Sequence, residues 1–357
     1  MHRINRLIIS LLTTAGLALM SAGGLHGAWD RVVADRLETE RMKNVVVRAQ
    51  AAERPALQPV SAVRTAAETA APMPEPASTP TPTPPPVPEL EVYAAPVTNP
   101  ALDDIRETTI SGGMRIKNQT AYYVDIGALL NEGPGLTLPQ GEPQILIIHT
   151  HASEAYTQAG LDRYVASDSY RTEDTQFNIV RIGDELTEIL TQAGLNVIHD
   201  RGIYDYPSYT GSYTRSGEAV EQYLDSFPSI RMVLDIHRDA LGSEGVVYKT
   251  MAEEDGTVAS QVMLLVGTDE SGLPHPNWRG NLALALYLQS AVVGANPTLM
   301  RPVELVSQRY NQHLTPGSLI VEVGSSGNTL REALSAVRLF GNAIAPALLA
   351  LVETDAE

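Results

Sequence analysis

The sequence has no cysteine in its 357 residues. That absence excludes a disulfide framework, a thiolate nucleophile and any zinc site with cysteine ligands. A metal ion in this protein would therefore have to be held by histidine and carboxylate side chains.

Basic residues are scarce. The chain has 25 Lys and Arg against 42 Asp and Glu, a formal net charge of -17. Proteins that bind a phosphate backbone need clustered Lys and Arg to replace its counterions. The composition therefore predicts that nucleic acid is not a partner.

Charged residues are absent from Leu7–Trp29, a stretch rich in Leu, Ile and Ala that follows Arg3 and Arg6. Its length approaches the roughly 20 apolar residues that span a bilayer. The pattern predicts a signal anchor over residues 1–29, which places the rest of the chain outside the cytoplasm as a single-pass membrane protein. Cleavage after the small residues 21–23 remains an alternative.

Residues 30–100 lack the apolar periodicity of a folded domain. A charged, helix-compatible stalk is followed by a stretch of Pro, Ala, Thr and Glu that includes Thr79–Pro86. Proline removes hydrogen-bond donors and opposes helices and sheets. We predict a stalk and a disordered, Pro-rich linker that could reach into a cell wall or act as a simple spacer.

Ordered sequence resumes after the linker. Short strand patterns at 116–120 and 122–124, followed by glycine turns, predict a small subdomain over 101–143. Residues 144–357 are predicted to form the main, catalytic domain.

The main domain alternates apolar runs with helical patterns. The runs Ile145–Ile148, Met232–Ile236 and Leu319–Val321 are continuous rather than alternating, as in strands covered on both faces. The helical patterns cover 177–193, 216–227, 282–293 and 329–351. The order predicts an α/β fold with a single mixed or parallel sheet and helices on both faces. Polar groups that follow the strands should meet at one edge of the sheet.

A candidate metal site follows the first two strands. His149, His151 and Glu154 come directly after one strand and His237 after another. Catalytic zinc takes three nitrogen or oxygen ligands and keeps one position open. We predict His151, Glu154 and His237 as ligands, with His149 as a replacement ligand or an orienting group. Each histidine alone could equally be a hydrogen-bonded loop residue.

The third strand runs into Glu322. A carboxylate there needs a cation, a donor or a metal-associated water to offset its lost hydration. We predict that Glu322 is the catalytic general base and then general acid. The alternative is an ion pair with Arg238 or Arg309.

Six motifs in order resemble one known family, the stage II sporulation protein P family, over about residue 105 to the C-terminus. The motifs are His149–Tyr156, Asp205–Tyr209, Asp235–Ala240, Pro276–Arg279, Arg309–Gln312 and Ile320–Gly324.

The resemblance implies a zinc-dependent N-acetylmuramoyl-L-alanine amidase fold with an added endopeptidase activity on cross-links. It implies a role in septal wall remodelling during forespore engulfment, with peptidoglycan as substrate and stage II sporulation proteins D and M as partners. Carried over by motif, it supports the metal and catalytic residues above and predicts substrate contacts from Arg238, Arg309 and Asn311.

Three alternatives remain open. The carboxylate ligand could be Glu173 or Asp174 instead of Glu154, because related amidases take it from the start of the next helix. The same residues could serve a wall peptidase or deacetylase. The protein could also be a non-catalytic scaffold that binds peptidoglycan and recruits or activates other hydrolases.

Overall fold

The computed structural model describes residues 91–95, 107–111, 114–243 and 246–354. The predicted anchor and stalk, and the predicted linker apart from 91–95, lie outside the described residues. Within them, no helix combines the length and apolarity needed to cross a membrane.

The described part of the chain contains strands and helices in alternation. The strands are β1 Glu91–Ala95, β2 Glu107–Ser111, β3 Met114–Asn118, β4 Ile145–Ile148, β5 Val197–His199, β6 Met232–Asp239, β7 Gly242–Ser243, β8 Val246–Thr250, β9 Ala252–Glu254, β10 Thr257–Ala259, β11 Val262–Gly267, β12 Val303–Val306 and β13 Gly317–Ser325. The helices are α1 Ile126–Glu132, α2 Ile179–Gln192, α3 Ser212–Ser226, α4 Trp278–Ala295 and α5 Leu330–Leu349.

Eight of these strands form one sheet in the order β2-β3-β12-β11-β13-β6-β4-β5. Strands β13, β6, β4 and β5 run parallel to each other, and β3, β12 and β11 form a second parallel group. The two groups meet in an antiparallel pair, β11 with β13. The predicted α/β fold with a mixed sheet is confirmed. The sheet is not single, because β1-β8-β7 and β9-β10 form two small further sheets.

Side chains alternate between the two faces of this sheet because successive residues of a strand point to opposite sides. Ile145 and Ile147 of β4 pack on one face with Ile182 of α2, in the large core that α4 and α5 also cover. Leu146 of β4 packs on the other face with Val220 of α3. We call these the α2 face and the α3 face. Helices lie on both, as predicted.

The segment 101–143 differs from its prediction. Its strands β2 and β3 extend the main sheet beside β12, so they share that sheet instead of forming a separate unit. Residues 122–124 are not a strand, because the chain turns there toward α1, where the Asp125 side chain accepts a hydrogen bond from the Ala128 amide. Strand β1 lies inside the predicted linker and pairs in parallel with β8.

Side-chain hydrogen bonds also cap the starts of α2 and α5. The Asn178 side chain caps α2 by accepting from the Val180 amide. Thr329 and Glu332 form a reciprocal capping box at the start of α5. Such caps satisfy amides that have no partner in the first turn.

Candidate active site

The site lies where β4, β6 and β13 reach their carboxyl ends. Glu322 of β13 is in register with His237 of β6 in a parallel pair. Paired residues on neighbouring strands point to the same side of a sheet, and so do residues two apart on one strand. Asp235, His237 and Glu322 therefore share the α3 face, with Val233 of its core.

The bulge after Glu322 ends the regular pairing of β13. The register with β6 shifts between Glu322 and Ser325. Gly324 adopts a left-handed φ of 68°, and a Cβ there would come within 2.8 Å of Ser260. Bulges of this kind redirect a strand beside a functional site. Only glycine suits this position.

His151 turns toward His237 because β4 ends at Ile148 and the chain enters a turn. The two imidazole rings are perpendicular, with centroids 5.2 Å apart. The ring of Tyr209 stacks on His151 at 4.5 Å, and Tyr213 meets it edge-on at 5.4 Å. Burial lowers the pKa of His151 to about 3, and its Nδ1 has no hydrogen-bond partner. His151 is thus a neutral imidazole with a buried nitrogen that makes no hydrogen bond.

Glu154 is held by two arginines. Its Oε1 accepts from Arg171 Nη2 at 3.3 Å, and its Oε2 accepts from the Arg238 amide at 3.1 Å. Oε2 also lies 3.6 Å from Nδ1 of His237. Burial would raise the pKa of Glu154, but the charges of Arg238 and His237 hold it below its ordinary value. The side chain is therefore a carboxylate at neutral pH.

His237 lies between two carboxylates. Its Nδ1 faces Glu154, and its Nε2 lies 2.9 Å from Oδ1 of Asp235. Burial would lower the pKa of His237, but Asp235 and Glu154 raise it well above 6.5. The structure thus brings His151, Glu154, His237 and Glu322 to one edge of the sheet.

His149 is directed away from this group, to the α2 face. Its Nδ1 lies 3.1 Å from the carbonyl oxygen of Ile236, and its Nε2 lies 2.8 Å from Nε2 of His199. Burial, with the nearby His199, lowers the pKa of His149 to about 3. Because β4 stops before His149 and the chain then turns, His149 and His151 do not share a direction.

The predicted substrate residues have different positions. Arg238 is buried, and its guanidinium donates to the carbonyl oxygens of Ala155 and Tyr170 at 2.9 Å each. Arg309 donates to the carbonyl oxygen of Pro274, in the loop after β11, which leaves the sheet at the end opposite Glu322. Arg238 thus holds the loop that carries Glu154, while Arg309 contacts the loop after β11.

Asn311 lies beside α3. Its Nδ2 donates to the carbonyl oxygen of Tyr213 at 2.8 Å and to Oγ of Ser216 at 3.1 Å. Asn311 therefore contacts the helix that covers the site.

The alternative carboxylate ligands Glu173 and Asp174 are both exposed. Asp174 Oδ1 accepts a hydrogen bond from the Gln176 amide, as in a local turn. Neither joins the buried group, whereas Glu154 does.

The sequence interpretation missed a network that fixes the loop after β4. Arg171 Nη1 contacts Oδ2 of Asp205 at 2.5 Å and Oγ of Ser153 at 3.0 Å. Asp205 in turn accepts from the amide and hydroxyl of Ser153. The Arg171 guanidinium also lies 5.1 Å from the ring centre of Tyr209. The sequence around Arg171 does not indicate this role, because its partners Glu154 and Asp205 are 17 and 34 residues away.

A second missed pair lies on the Glu322 side of the site. Arg301 Nη1 bonds Oδ2 of Asp239 at 2.8 Å. Burial would lower the pKa of Arg301, but Asp239 and more distantly Glu322 raise it. The pair places the Arg301 guanidinium near the Glu322 carboxylate.

The side chains of His151, Glu154 and His237 are of the chemical types that bind zinc. Two imidazoles and a carboxylate are a common catalytic zinc set, and the bare Nδ1 of His151 is the kind of buried atom that an ion would satisfy. As the side chains lie, no group of three or more His, Asp or Glu among residues 114–243 and 246–354 is arranged to hold a metal ion. Glu154 would have to exchange its contact with Arg171 for the metal.

A curated protein is similar in sequence to part of this chain. Stage II sporulation protein P of Bacillus subtilis (strain 168) is 24% identical over 203 residues, which are 53% of this chain and 47% of that protein. The chain thus matches about half the length of that curated relative.

Several solved amidases are distantly similar in fold. N-acetylmuramoyl-L-alanine amidase AmiC2 of Nostoc punctiforme has a TM-score of 0.34 and 14% identity, over 58% of this chain and 96% of that one. The CwlD amidase of Clostridioides difficile, solved in complex with the GerS lipoprotein, has a TM-score of 0.35 and 14% identity, over 58% and 98%.

The sequence model of one family, Stage II sporulation protein P (SpoIIP), matches residues 89–345. That range holds the whole sheet and every residue of the site described above. The chain therefore belongs to the stage II sporulation protein P family.

Proposed function

We propose that this protein is a zinc-dependent peptidoglycan hydrolase that cuts the amide bond between N-acetylmuramic acid and L-alanine. The observation that carries the proposal is the meeting of His151, Glu154, His237 and Glu322 at one edge of the sheet. Membership of the family and the amidase names of its distant structural relatives support the choice of substrate.

In this proposal His151, Glu154 and His237 hold the metal. A bound zinc ion would supply a Lewis acid that polarises the scissile carbonyl. Burial keeps the imidazole of His151 neutral, which supports its role as a ligand. Arg238 and His237 keep Glu154 ionised, and hydrogen bonds from Arg238 and Arg171 hold its carboxylate in place.

Glu322 moves the proton. Its place beside His237 in the register supports a role as general base, which takes a proton from the attacking water. The same carboxyl then delivers that proton to the nitrogen of the departing L-alanine. Placement at the end of a rigid strand holds the carboxylate in one orientation during both steps.

The substrate would approach over Tyr209. About half of that side chain is exposed, and its ring covers the imidazole of His151. An aromatic face with a polar edge suits a sugar or a peptide. The proposal extends to endopeptidase activity on cross-links, since the same groups can hydrolyse a second amide.

The proposal places the enzyme on the outer side of the cell membrane, held by its N-terminal anchor, at the septum during forespore engulfment. Its proposed partners are stage II sporulation proteins D and M. Family membership supports the link with sporulation.

A second candidate function is a peptidoglycan-binding scaffold without catalysis. One observation favours it: the arginine contacts of Glu154 occupy the carboxylate that the metal needs, and no ready-made metal group is found in the described residues. In that case the exposed Tyr209 would bind wall material without cleavage.

Removal and return of metal distinguish the two functions. The full-length protein is treated with a chelator, dialysed and tested on purified peptidoglycan with and without added zinc. The amidase proposal predicts release of free stem peptides only with zinc. Binding to peptidoglycan without release under both conditions would favour the scaffold.

A further inference from the structure

A line of aromatic rings leads away from the candidate metal ligands. Tyr213 meets the ring of His151 edge-on, with centroids 5.4 Å apart, and the ring of Tyr310 lies 5.2 Å from that of Tyr213. Tyr310 packs on Ile320, which lies two residues before Glu322 and therefore on the same face of the sheet. Both tyrosines are partly exposed. Their rings thus offer an aromatic surface that begins at the site and continues along the α3 face.

The loop that carries Tyr310 is fixed against the end of β11. The side chain of Gln312 donates to the carbonyl oxygen of Leu265 at 2.8 Å and accepts from the Gly267 amide at 2.6 Å. A Cβ at Gly267 would collide with the carbonyl oxygen of Gln308. Tyr310 itself has a left-handed φ of 50°, which is uncommon for a residue with a side chain. Strain of this kind persists where the surroundings enforce it, and it concentrates at functional sites.

Arg309 lies at the far end of this aromatic line without a counter-charge. Its Nη1 donates to the carbonyl oxygen of Pro274 at 3.0 Å, and its Nε is buried without a partner. Within the described part of the chain Arg309 forms no ion pair. Each of three other arginines around the site contacts a carboxylate: Arg171, Arg238 and Arg301. Burial lowers the pKa of Arg309. A half-buried guanidinium is costly unless an anion joins it, and its planar fork suits a carboxylate.

Two imidazoles lie near Arg309. Burial and the charge of Arg309 contribute to lowering the pKa of His275 and His313 to about 4, so both rings are neutral at neutral pH. The Nδ1 atom of each is buried and makes no hydrogen bond among the residues that the structure describes. Asp269 also acts on His275, but that carboxylate accepts from the hydroxyl of Tyr122 at 2.7 Å. The two rings therefore add neutral polar groups beside the guanidinium.

We propose that Tyr213, Tyr310 and Arg309 form a subsite for the stem peptide, in which Arg309 binds the free carboxylate that ends a stem of three or four residues. The inference rests on the proposed function, because the scissile amide has to lie at the metal. An extended peptide advances about 3.3–3.6 Å per residue. Three or four residues therefore cover the two steps from His151 to Tyr310 and reach the loop of Arg309.

The charge at Arg309 selects the peptide over the glycan. The carboxyl group of muramic acid is already part of the scissile amide, so an intact glycan with its stems attached offers Arg309 no free carboxylate there. A stem whose last carboxyl forms a cross-link also lacks this charge. The subsite therefore favours stems that are not cross-linked through their C-terminus.

Free stem peptides test the subsite without metal or catalysis. A stem tetrapeptide is prepared with a C-terminal carboxylate and with a C-terminal carboxamide, and each form is titrated by calorimetry into metal-free full-length protein. We expect the acid to bind at least about 10-fold more tightly than the amide, because hydrogen bonds to charged groups are the stronger ones. Equal affinities, or no binding of either peptide, would overturn the proposal.

A variant assigns the preference to one side chain. Arg309→Gln removes the charge and keeps a donor for the carbonyl oxygen of Pro274. We expect it to bind both peptides about as weakly as the wild type binds the amide. The control is Arg279→Gln, since Arg279 is exposed in the neighbouring motif and lies over the ring of Trp278; it should keep the full preference. A preference that survives in Arg309→Gln would overturn the proposal. The comparison of the two peptides in the wild type needs no variant.

The outcomes separate the subsite from the proposed function. Preferential binding of the acid by a zinc-loaded protein that releases no stem peptide from peptidoglycan would contradict the proposed function and leave the subsite supported. Release of stem peptides by a protein that binds the acid and the amide equally would contradict the subsite alone.

Discussion

At the scale of single residues, Gly183 shows how a buried polar pair depends on a missing side chain. Gly183 lies in α2, and the rings of His149 and His199 are its nearest neighbours. A Cβ at this position would come within 2.5 Å of Nε2 of both rings. The space left by the glycine allows the two imidazoles to bond at 2.8 Å.

Gly183→Ala is expected to destabilise the protein. An alanine in a helix normally stabilises by about 1 kcal/mol relative to glycine, but the clash with two rigid rings costs about 1–3 kcal/mol. We expect a net loss in the free energy of unfolding, measured by urea titration. Gly280→Ala, in α4 with its nearest neighbouring atom 4.0 Å away, is the control and should be neutral or stabilising.

The residue scale also shows what the sequence could and could not predict about the site. The positions of His151, His237 and Glu322 at or just after the ends of apolar strands were enough to predict that they meet at one edge of the sheet. The same reasoning failed for His149, because the chain turns after Ile148 and the His149 ring contacts His199 instead. Asp235 was missed, since a carboxylate inside an apolar strand gives no sign of its partner Thr150, 85 residues away.

At the scale of elements, α5 is tied to the small β8 strand through its first turn. Glu332 accepts from the Thr329 amide and from Asn328, and it forms an ion pair with Lys249 at 2.8 Å. Burial would raise the pKa of Glu332, but Lys249, Thr329 and Asn328 lower it below 4.5. These contacts join α5, the turn after β13 and β8.

Glu332→Gln should therefore cost stability in a pH-dependent way. A carboxyl group whose pKa is lower in the folded than in the unfolded chain stabilises the fold at pH values above its unfolded pKa, about 4.5. This contribution is lost as the pH falls through the pKa of the folded state. We expect the difference in free energy of unfolding between wild type and variant to be largest near pH 7. A difference unchanged down to pH 3, or an equal effect of Glu253→Gln at an exposed site, would contradict this.

Element boundaries were partly predictable. The helical patterns 177–193 and 329–351 and the apolar runs of β4, β6 and β13 gave helices and strands close to those observed. Strand β11, Val262–Gly267, was missed although it is apolar throughout, because no polar group follows it at the site. Strands β5 and β12 are three and four residues long, too short for a periodic signal.

At the scale of the whole molecule, the strand order was not predictable. The sequence favoured a mixed or parallel sheet, but the antiparallel contact of β11 with β13 follows from long-range packing. That contact sends the loop after β11 to the opposite end of the sheet from Glu322. Arg309 contacts that loop. The position of Arg309 therefore follows from the strand topology, which its sequence motif does not indicate.

The same end of the fold holds a buried imidazole, His275, and a half-buried one, His313, that affect stability. Burial and the nearby charge of Arg309 contribute to lowering the pKa of His275 and His313 to about 4. As the pH falls below about 6.5, unfolded chains bind protons that these folded rings do not, so the free energy of unfolding decreases until about pH 4. We expect urea titrations to show a shallower decrease over this range for His313→Gln; an unchanged slope would contradict it.

Catalysis by Glu322 at the edge of this sheet is the central claim, and product analysis tests it most directly. Purified peptidoglycan is digested with zinc-loaded full-length wild type, Glu322→Gln and the exposed control Glu253→Gln, and the products are identified by mass. We expect free stem peptides and peptide-stripped glycan from the wild type and the control, and a loss of at least about 100-fold in Glu322→Gln. Release by Glu322→Gln at the wild-type rate, with zinc bound, would contradict the account.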